Sequence, residues 1–109
     1  MTCGENAPYD PFLEKAATRT DGRARALMIA KLACGVGPSQ QELAVNSYCP
    51  LAIVNGGKDA FINNEFISSL PYKNLWEGKV YDLPDLGHAP FWEAPELFDE
   101  YLDRFLESV

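Results

Sequence analysis

The sequence predicts an α/β fold in which N-terminal helices precede a βαβα unit with parallel strands. Residues 51–55 (LAIVN) form a short apolar run between Pro50 and a Gly-Gly pair, which is typical of a buried parallel strand. Residues 78–84 (GKVYDLP) alternate in polarity and predict a second strand. Because a helical segment separates the two strands, they are expected to lie parallel in one sheet.

The N-terminal half is predicted to be helical. Residues 9–18 (YDPFLEKAAT) favour a short helix, and residues 24–33 favour a longer one that ends at the following glycines and Pro38. The second helix has a broad apolar face, which indicates burial on more than one side. We therefore divide the chain into a helical segment, residues 1–49, and a segment with the strands, residues 50–109.

The C-terminal helix has the clearest periodicity in the chain. Its apolar residues recur at helical spacing: Phe98, Tyr101, Leu102, Phe105, Leu106 and Val109. Pro95 is placed in its first turn, and its charged residues are expected to face water: Asp99, Glu100, Asp103, Arg104 and Glu107. A shorter helix is predicted in INNEFISSLP, where Pro71 ends it.

Composition limits the classes of function. The chain has 109 residues, is 47% hydrophobic and carries a net charge of −7, with one base, Arg104, after residue 79. This acidity argues against nucleic acid and anionic membranes as partners. There is no 18-residue apolar run, and the first twelve residues lack a basic, apolar leader, so we expect a soluble, cytoplasmic protein.

The three cysteines do not predict a metal or redox site. Cys3, Cys34 and Cys49 are widely spaced, and no CxxC pair occurs, so reduced thiols are expected. Gly56 and Gly57 are not followed by a dinucleotide or phosphate-loop pattern. Neither a metal nor a cofactor is therefore expected.

Two chemically active residues follow the two predicted strands. Asp59 comes just after the first strand, and His88, the only histidine, just after the second. In a parallel sheet both loops lie at the same edge, where a carboxylate can accept the imidazole Nδ1–H and leave Nε2 as a base. Taken singly, Asp59 is an ordinary turn residue and His88 a packing residue; their shared position favours a pair.

Three aromatic residues have two possible roles each, in a substrate pocket or in packing. Phe91 and Trp92 follow His88 directly, and Trp76 precedes the second strand. Each is compatible with the wall of a substrate pocket and equally with packing against the sheet.

These loops resemble those of a known family, the α/β-hydrolases. PLAIVNGGKDAFI resembles the strand and loop that carry the catalytic acid, and LPDLGHAPFWEAPELF resembles the histidine loop before the last helix. The order of acid then histidine also fits the family. The resemblance implies that Asp59 is the catalytic acid and His88 the catalytic base. Of the two interpretations of Phe91 and Trp92, we predict that they bind substrate. The resemblance covers about residues 50–109, and RTDGRARALMIAKLACGVG resembles the stretch leading from the lid back to the core.

The family's nucleophile is missing from the sequence. No GxSxG occurs, and no serine lies between a strand and a helix; the serines are Ser39, Ser47, Ser68, Ser69 and Ser108. The resemblance thus implies a hydrolase acting on a small ester-like substrate, of whose triad only Asp59 and His88 are present. We expect such a chain to be inactive on its own. An ester, a lactone, an epoxide and a halide all remain open as the bond hydrolysed.

Two alternatives remain beside the hydrolase reading. One is an enzyme with a substitute nucleophile, for which Cys34 would have to lie near His88. The other is a noncatalytic binding protein derived from a hydrolase. Since two strands alone leave sheet edges unpaired, we expect the chain to associate with a second copy of itself or with a complementing N-terminal hydrolase part.

Overall fold

A computed structural model of the protein describes residues 10–109. The described elements are, in order, α1 (Pro11–Arg19), α2 (Gly22–Ala33), α3 (Gln40–Val45), β1 (Val54–Gly56), α4 (Asn64–Ser69), β2 (Tyr81–Leu83), α5 (Pro90–Glu93) and α6 (Pro95–Ser108). A short 3-10 helix, Trp76–Gly78, precedes β2. The predicted order of helices and strands is therefore confirmed, with α3 and α5 as additional short helices.

The described residues form two compact units. One extends up to Gln40 and contains α1 and α2, and the other comprises Gln41–Val109 and contains both strands and α4 to α6. None of the helices within residues 10–109 combines the length and the apolar character needed to cross a bilayer.

Side-chain caps explain where several helices begin. Asp10 accepts a hydrogen bond from the backbone N–H of Phe12 at the start of α1, where Pro11 occupies the first turn. Asp21 caps α2 and Asn63 caps α4 in the same manner. These residues satisfy backbone N–H groups that have no partner within the helix.

The predicted burial of α2 is wrong. Every residue of this helix is exposed, and its large apolar side chains are more than half accessible: Leu27 60%, Met28 57%, Ile29 52% and Leu32 57%. Within the described residues of the unit that extends up to Gln40, no element covers this broad apolar face. The apolar pattern of α2 thus indicates a face of the helix that only another surface could bury.

The two strands are parallel, as predicted, but short. Val54, Asn55 and Gly56 pair with Tyr81, Asp82 and Leu83, and an isolated bridge joins Leu51 to Leu75. The prediction of a buried strand over residues 51–55 is wrong, because these five residues are only half-buried. A sheet of two strands cannot cover its own faces and edges.

The core of the strand-containing unit surrounds Trp76. This side chain is 8% exposed and packs edge-on against Phe105 of α6, with ring centroids 5.7 Å apart. Tyr81 of β2 contacts Trp76 and also Tyr101 of α6, at 5.5 Å and 4.8 Å between ring centroids. Of the two readings of Trp76, the structure favours packing against the sheet.

Arg104, which was predicted to face water, also contacts residues of the core and of the turn before β2. Its guanidinium lies 5.1 Å from the Trp76 ring and pairs with the Glu77 carboxylate at 2.5 Å. Glu77 has a positive φ of 50°, which is unusual for a residue other than glycine, and it also accepts a hydrogen bond from the Tyr81 hydroxyl. These contacts tie α6 to the turn before β2 and hold Glu77 in its strained conformation.

Candidate active site

The loops that follow β1 and β2 lie against one another without intervening side chains. Gly57 N–H donates to Leu83 O at 2.7 Å, and Lys58 N–H donates to Leu86 O at 2.9 Å, so backbone pairing continues past the strands. A Cβ added to Gly56 would lie 1.8 Å from the carbonyl oxygen of Gly87. The approach of the two loops therefore requires glycine at position 56.

Asp59 stands at the end of the first of these loops, in a shielded position. Its side chain is 5% exposed, and its Oδ1 accepts the backbone N–H of Phe61 at 2.8 Å. Burial by itself raises the pKa of the Asp59 carboxyl, but hydrogen bonds from Phe61 and His88 and the positive charge of a protonated His88 outweigh it and leave the pKa below its usual value. Asp59 is therefore an ionised carboxylate at neutral pH.

His88 stands at the end of the second loop and meets Asp59 directly. Its Nδ1 lies 2.7 Å from Oδ2 of Asp59. Because the ionised carboxylate has no proton to give, Nδ1 is the donor in this hydrogen bond. In the neutral ring, Nε2 then keeps a free lone pair, and the side chain is 43% exposed. The structure thus brings the predicted pair together, with Nδ1 bonded to the carboxylate and Nε2 left with its lone pair.

Lys58 and Asp85 add a second link between the loops. Their Nζ and Oδ1 atoms lie 3.0 Å apart, and both side chains are largely exposed. An exposed ion pair of this kind contributes little to stability. Asp85 lies in the same loop as His88 but pairs with Lys58, so it is a carboxylate of this loop that is not bonded to the imidazole.

The histidine loop is also held from its C-terminal side by Glu93, which the sequence analysis did not identify. The carboxylate of Glu93 accepts the N–H of Gly87 at 2.8 Å and the N–H of Ala89 at 3.0 Å. These are the two residues on either side of His88. The only signal in the sequence was a glutamate four residues after the N-cap Ala89, one position beyond that of the capping-box glutamate.

The aromatic residues near the pair are accessible. Phe91 and Trp92 lie in α5 directly after the histidine loop and are 55% and 38% exposed. Phe91 contacts Phe98 of α6 at 6.1 Å between ring centroids. The ring that contacts His88 itself is Phe61, edge-on at 5.3 Å, which the sequence analysis did not single out. One exposed aromatic ring, that of Phe61, thus adjoins the imidazole, and two more exposed rings follow in α5.

No metal centre is visible in residues 10–109, since no group of three or more His, Cys, Asp and Glu side chains is close enough to hold an ion. Cys34 and Cys49 are free, exposed thiols. Cys34 lies outside the unit that carries His88, and Cys3 lies outside the described residues.

Comparison with solved structures gives strong similarity to one enzyme, the N-acyl homoserine lactonase AidH. A mutant of AidH complexed with N-hexanoyl homoserine lactone is 42% identical, with a TM-score of 0.86 over 93% of this chain and 37% of that chain. AidH complexed with N-butanoyl homoserine gives the same values. A second mutant, complexed with N-hexanoyl homoserine, is 41% identical. Its TM-score is 0.88, over 94% of this chain and 38% of that chain.

The chain therefore spans little more than a third of the length of these lactonases. No protein-family model matches it, and no curated protein does. The resemblance found in the acid and histidine loops is nevertheless confirmed at the level of the fold, because the similarity extends over nearly all of this chain at more than 40% identity. The chain has an α/β fold, that of the C-terminal portion of an α/β-hydrolase.

Proposed function

We propose that this chain supplies the acid and the base of a Ser-His-Asp triad that hydrolyses an ester-like bond. The observation that carries the proposal is the 2.7 Å contact between His88 Nδ1 and the shielded carboxylate of Asp59. The pair stands beyond the carboxyl ends of two neighbouring parallel strands, which is where α/β proteins place their active groups.

His88 Nε2 takes the proton of the serine hydroxyl while the serine oxygen attacks the substrate carbonyl. The imidazolium that results is stabilised by Asp59, and its Nε2–H then passes to the oxygen of the leaving group as the C–O bond breaks. A water molecule next attacks the acyl-enzyme, again giving its proton to His88, and the serine leaves with that proton. Asp59 stays ionised throughout.

The serine itself has to come from a polypeptide segment outside these 109 residues, because the sequence holds no GxSxG. That segment belongs either to the same longer protein or to a separate chain. Several serine hydroxyls here already donate to local backbone carbonyls: Ser47 to Cys49, Ser69 to Phe66 and Ser108 to Phe105. Without the nucleophile, the chain is expected to show no hydrolysis.

For the substrate class we propose N-acyl homoserine lactones. The AidH structures hold such a lactone in one case and ring-opened N-acyl homoserines in others, which are substrate and product of one hydrolysis. A lactone with an acyl chain needs an apolar surface next to the base. Phe91 and Trp92, with their accessible rings, are proposed to contact the acyl chain.

The second candidate is a binding protein without catalysis, in which the exposed apolar surface holds a partner. The observation favouring it is the exposure of large side chains in the strand-containing unit as well as in α2, among them Phe66, Leu102 and Leu106. An apolar surface of this extent is typical of proteins that associate. We propose self-association or pairing with a complementing hydrolase part in either case.

The test is a chimera in which this chain replaces the matching segment of AidH. Opening of N-hexanoyl homoserine lactone is followed by acid release. The proposal predicts activity that falls on the order of 10⁴-fold in the His88→Ala variant and strongly in Asp59→Asn. Asp85→Asn is the matched control and should retain full activity. A folded chimera that is inactive, or one that is indifferent to His88→Ala, contradicts the proposal and favours the binding protein.

A further inference from the structure

Glu93 holds the peptide groups on both sides of His88. One oxygen, Oε2, accepts the N–H of Gly87 at 2.8 Å, and the other, Oε1, accepts the N–H of Ala89 at 3.0 Å. Both contacts are part-buried, and hydrogen bonds of a carboxylate to backbone N–H groups are stronger than neutral ones. The carboxylate thus spans the one residue that lies between the two donors, His88.

We propose that Glu93 is a positioning residue that fixes the direction in which the His88 side chain leaves the backbone. When the N–H groups of Gly87 and Ala89 are both anchored to one carboxylate, the φ and ψ angles between them, those of Gly87 and His88, lose much of their freedom. The Cα–Cβ bond of His88 then points to Asp59 before any substrate binds. This role rests on the proposed function of His88 as the base, but the contacts themselves do not.

A helix cap explains only half of the arrangement. Ala89 is the N-cap residue of α5 and has no side chain to accept a backbone N–H, so a bond from its own N–H to Glu93 resembles a capping box. Gly87 lies two residues before that cap, outside the helix. Its bond to Glu93 adds nothing to the end of α5, and α5 has only four residues to stabilise.

The bond to Gly87 has a second consequence, for the distance between the two loops. The carbonyl oxygen of Gly87 faces Gly56, and the preceding carbonyl, Leu86 O, accepts the N–H of Lys58 at 2.9 Å. Gly87 is therefore held by Glu93 on one side and by the acid loop on the other. Anchoring this residue sets the position of the histidine loop relative to Asp59, in addition to the orientation of His88.

The single histidine makes the proposal measurable without an activity assay. In the full chain, ¹H and ¹⁵N NMR reports the Nδ1 proton that His88 donates to Asp59. Glu93→Ala should abolish or markedly weaken this resonance, and Glu93→Gln, which keeps one accepting oxygen, should have a smaller effect. Glu100→Gln, an exposed glutamate of α6, is the charge-matched control and should leave the resonance unchanged.

An unchanged Nδ1 resonance in a folded Glu93→Ala variant would overturn the proposal and leave Glu93 as a helix cap. Signals from the Trp76 core show whether the variant is folded. If the variant does not fold, amide hydrogen exchange in the unmodified chain decides: the N–H groups of Gly87 and Ala89 should be protected relative to the exposed loop residue Ala60, and equal exchange overturns the proposal. If the proposed hydrolase function is wrong, the chimera is inactive but the His88 Nδ1 resonance still depends on Glu93. If the role of Glu93 is wrong, the resonance does not depend on it, so the two failures are distinguishable.

Discussion

A Cβ atom at Gly56 would lie 1.8 Å from the carbonyl oxygen of Gly87 and 2.5 Å from that of Leu86. This separation is too short for any side chain, and both atoms in the way belong to the backbone of the histidine loop. The last residue of β1 must therefore be glycine for the loops of Asp59 and His88 to meet.

Gly56→Ala is accordingly expected to separate the two loops. We predict a loss of about 1–3 kcal/mol in the free energy of unfolding from overpacking, together with loss of the hydrogen bond between His88 and Asp59. Urea unfolding and the His88 Nδ1 resonance measure the two effects. Gly22→Ala is the control, since a Cβ there meets nothing within 4 Å in the first turn of α2; it should be neutral or stabilise by up to about 1 kcal/mol. Equal stability of the two variants would contradict the close approach.

Asp59 gives a prediction for acid stability. Its pKa in the folded chain is below the usual value of about 3.9. The ionised carboxylate therefore stabilises the fold fully at pH values above the pKa of the unfolded chain. This contribution is lost as the pH falls through the lowered pKa of the folded chain. Asp59→Asn should remove this part of the acid-induced loss of stability. Thermal unfolding between pH 2 and pH 7 tests it, with Asp85→Asn as the control, which should keep the profile of the unmodified chain.

The two tryptophans should differ in their contribution to stability. Trp76 is 8% exposed and packs between β2 and α6, so Trp76→Ala should cost about 3–5 kcal/mol of unfolding free energy. Trp92 is 38% exposed, and Trp92→Ala should cost clearly less. In the AidH chimera, however, Trp92→Ala should raise KM for N-hexanoyl homoserine lactone. Denaturant unfolding and initial rates give the two readouts, and a reversed order of stability would contradict the assigned core.

Self-association is expected to depend on the apolar surface. The unmodified chain should have a molar mass above the 12.1 kDa of one copy when measured by light scattering. Leu32→Glu places a charge on the exposed face of α2 and should shift the mass toward one copy, whereas Lys31→Glu on the same helix should shift it less. A monomer for the unmodified chain at high concentration would exclude self-association.

Much of the fold could be predicted because the periodicity changes along the chain. Apolar spacing identified α2 and α6, and the run between Pro50 and Gly57 located β1 to within three residues. The meeting of Asp59 and His88 also followed, because parallel strands end at the same edge of a sheet. That conclusion needs only the order of the elements and no knowledge of side-chain contacts.

Burial and the supporting contacts could not be predicted in the same way. The apolar pattern of α2 and of residues 51–55 indicates a surface that requires covering, but it does not say whether these 109 residues supply the cover. Glu93 was missed because its partners are backbone N–H groups, which every residue except proline has. Phe61 was missed because its contact with His88 depends on a turn between β1 and α4 whose geometry the residue types do not determine.

The most direct test of the central claim is the tautomer of His88 at neutral pH, measured by ¹⁵N NMR in the unmodified chain and in Asp59→Asn. Because the chain has one histidine, the imidazole signals need no further assignment. The account predicts a proton on Nδ1 and a free Nε2 in the unmodified chain, and loss of that preference in Asp59→Asn. A proton on Nε2 in the unmodified chain, or a tautomer that does not respond to Asp59→Asn, would contradict an acid-base pair ready to activate a serine.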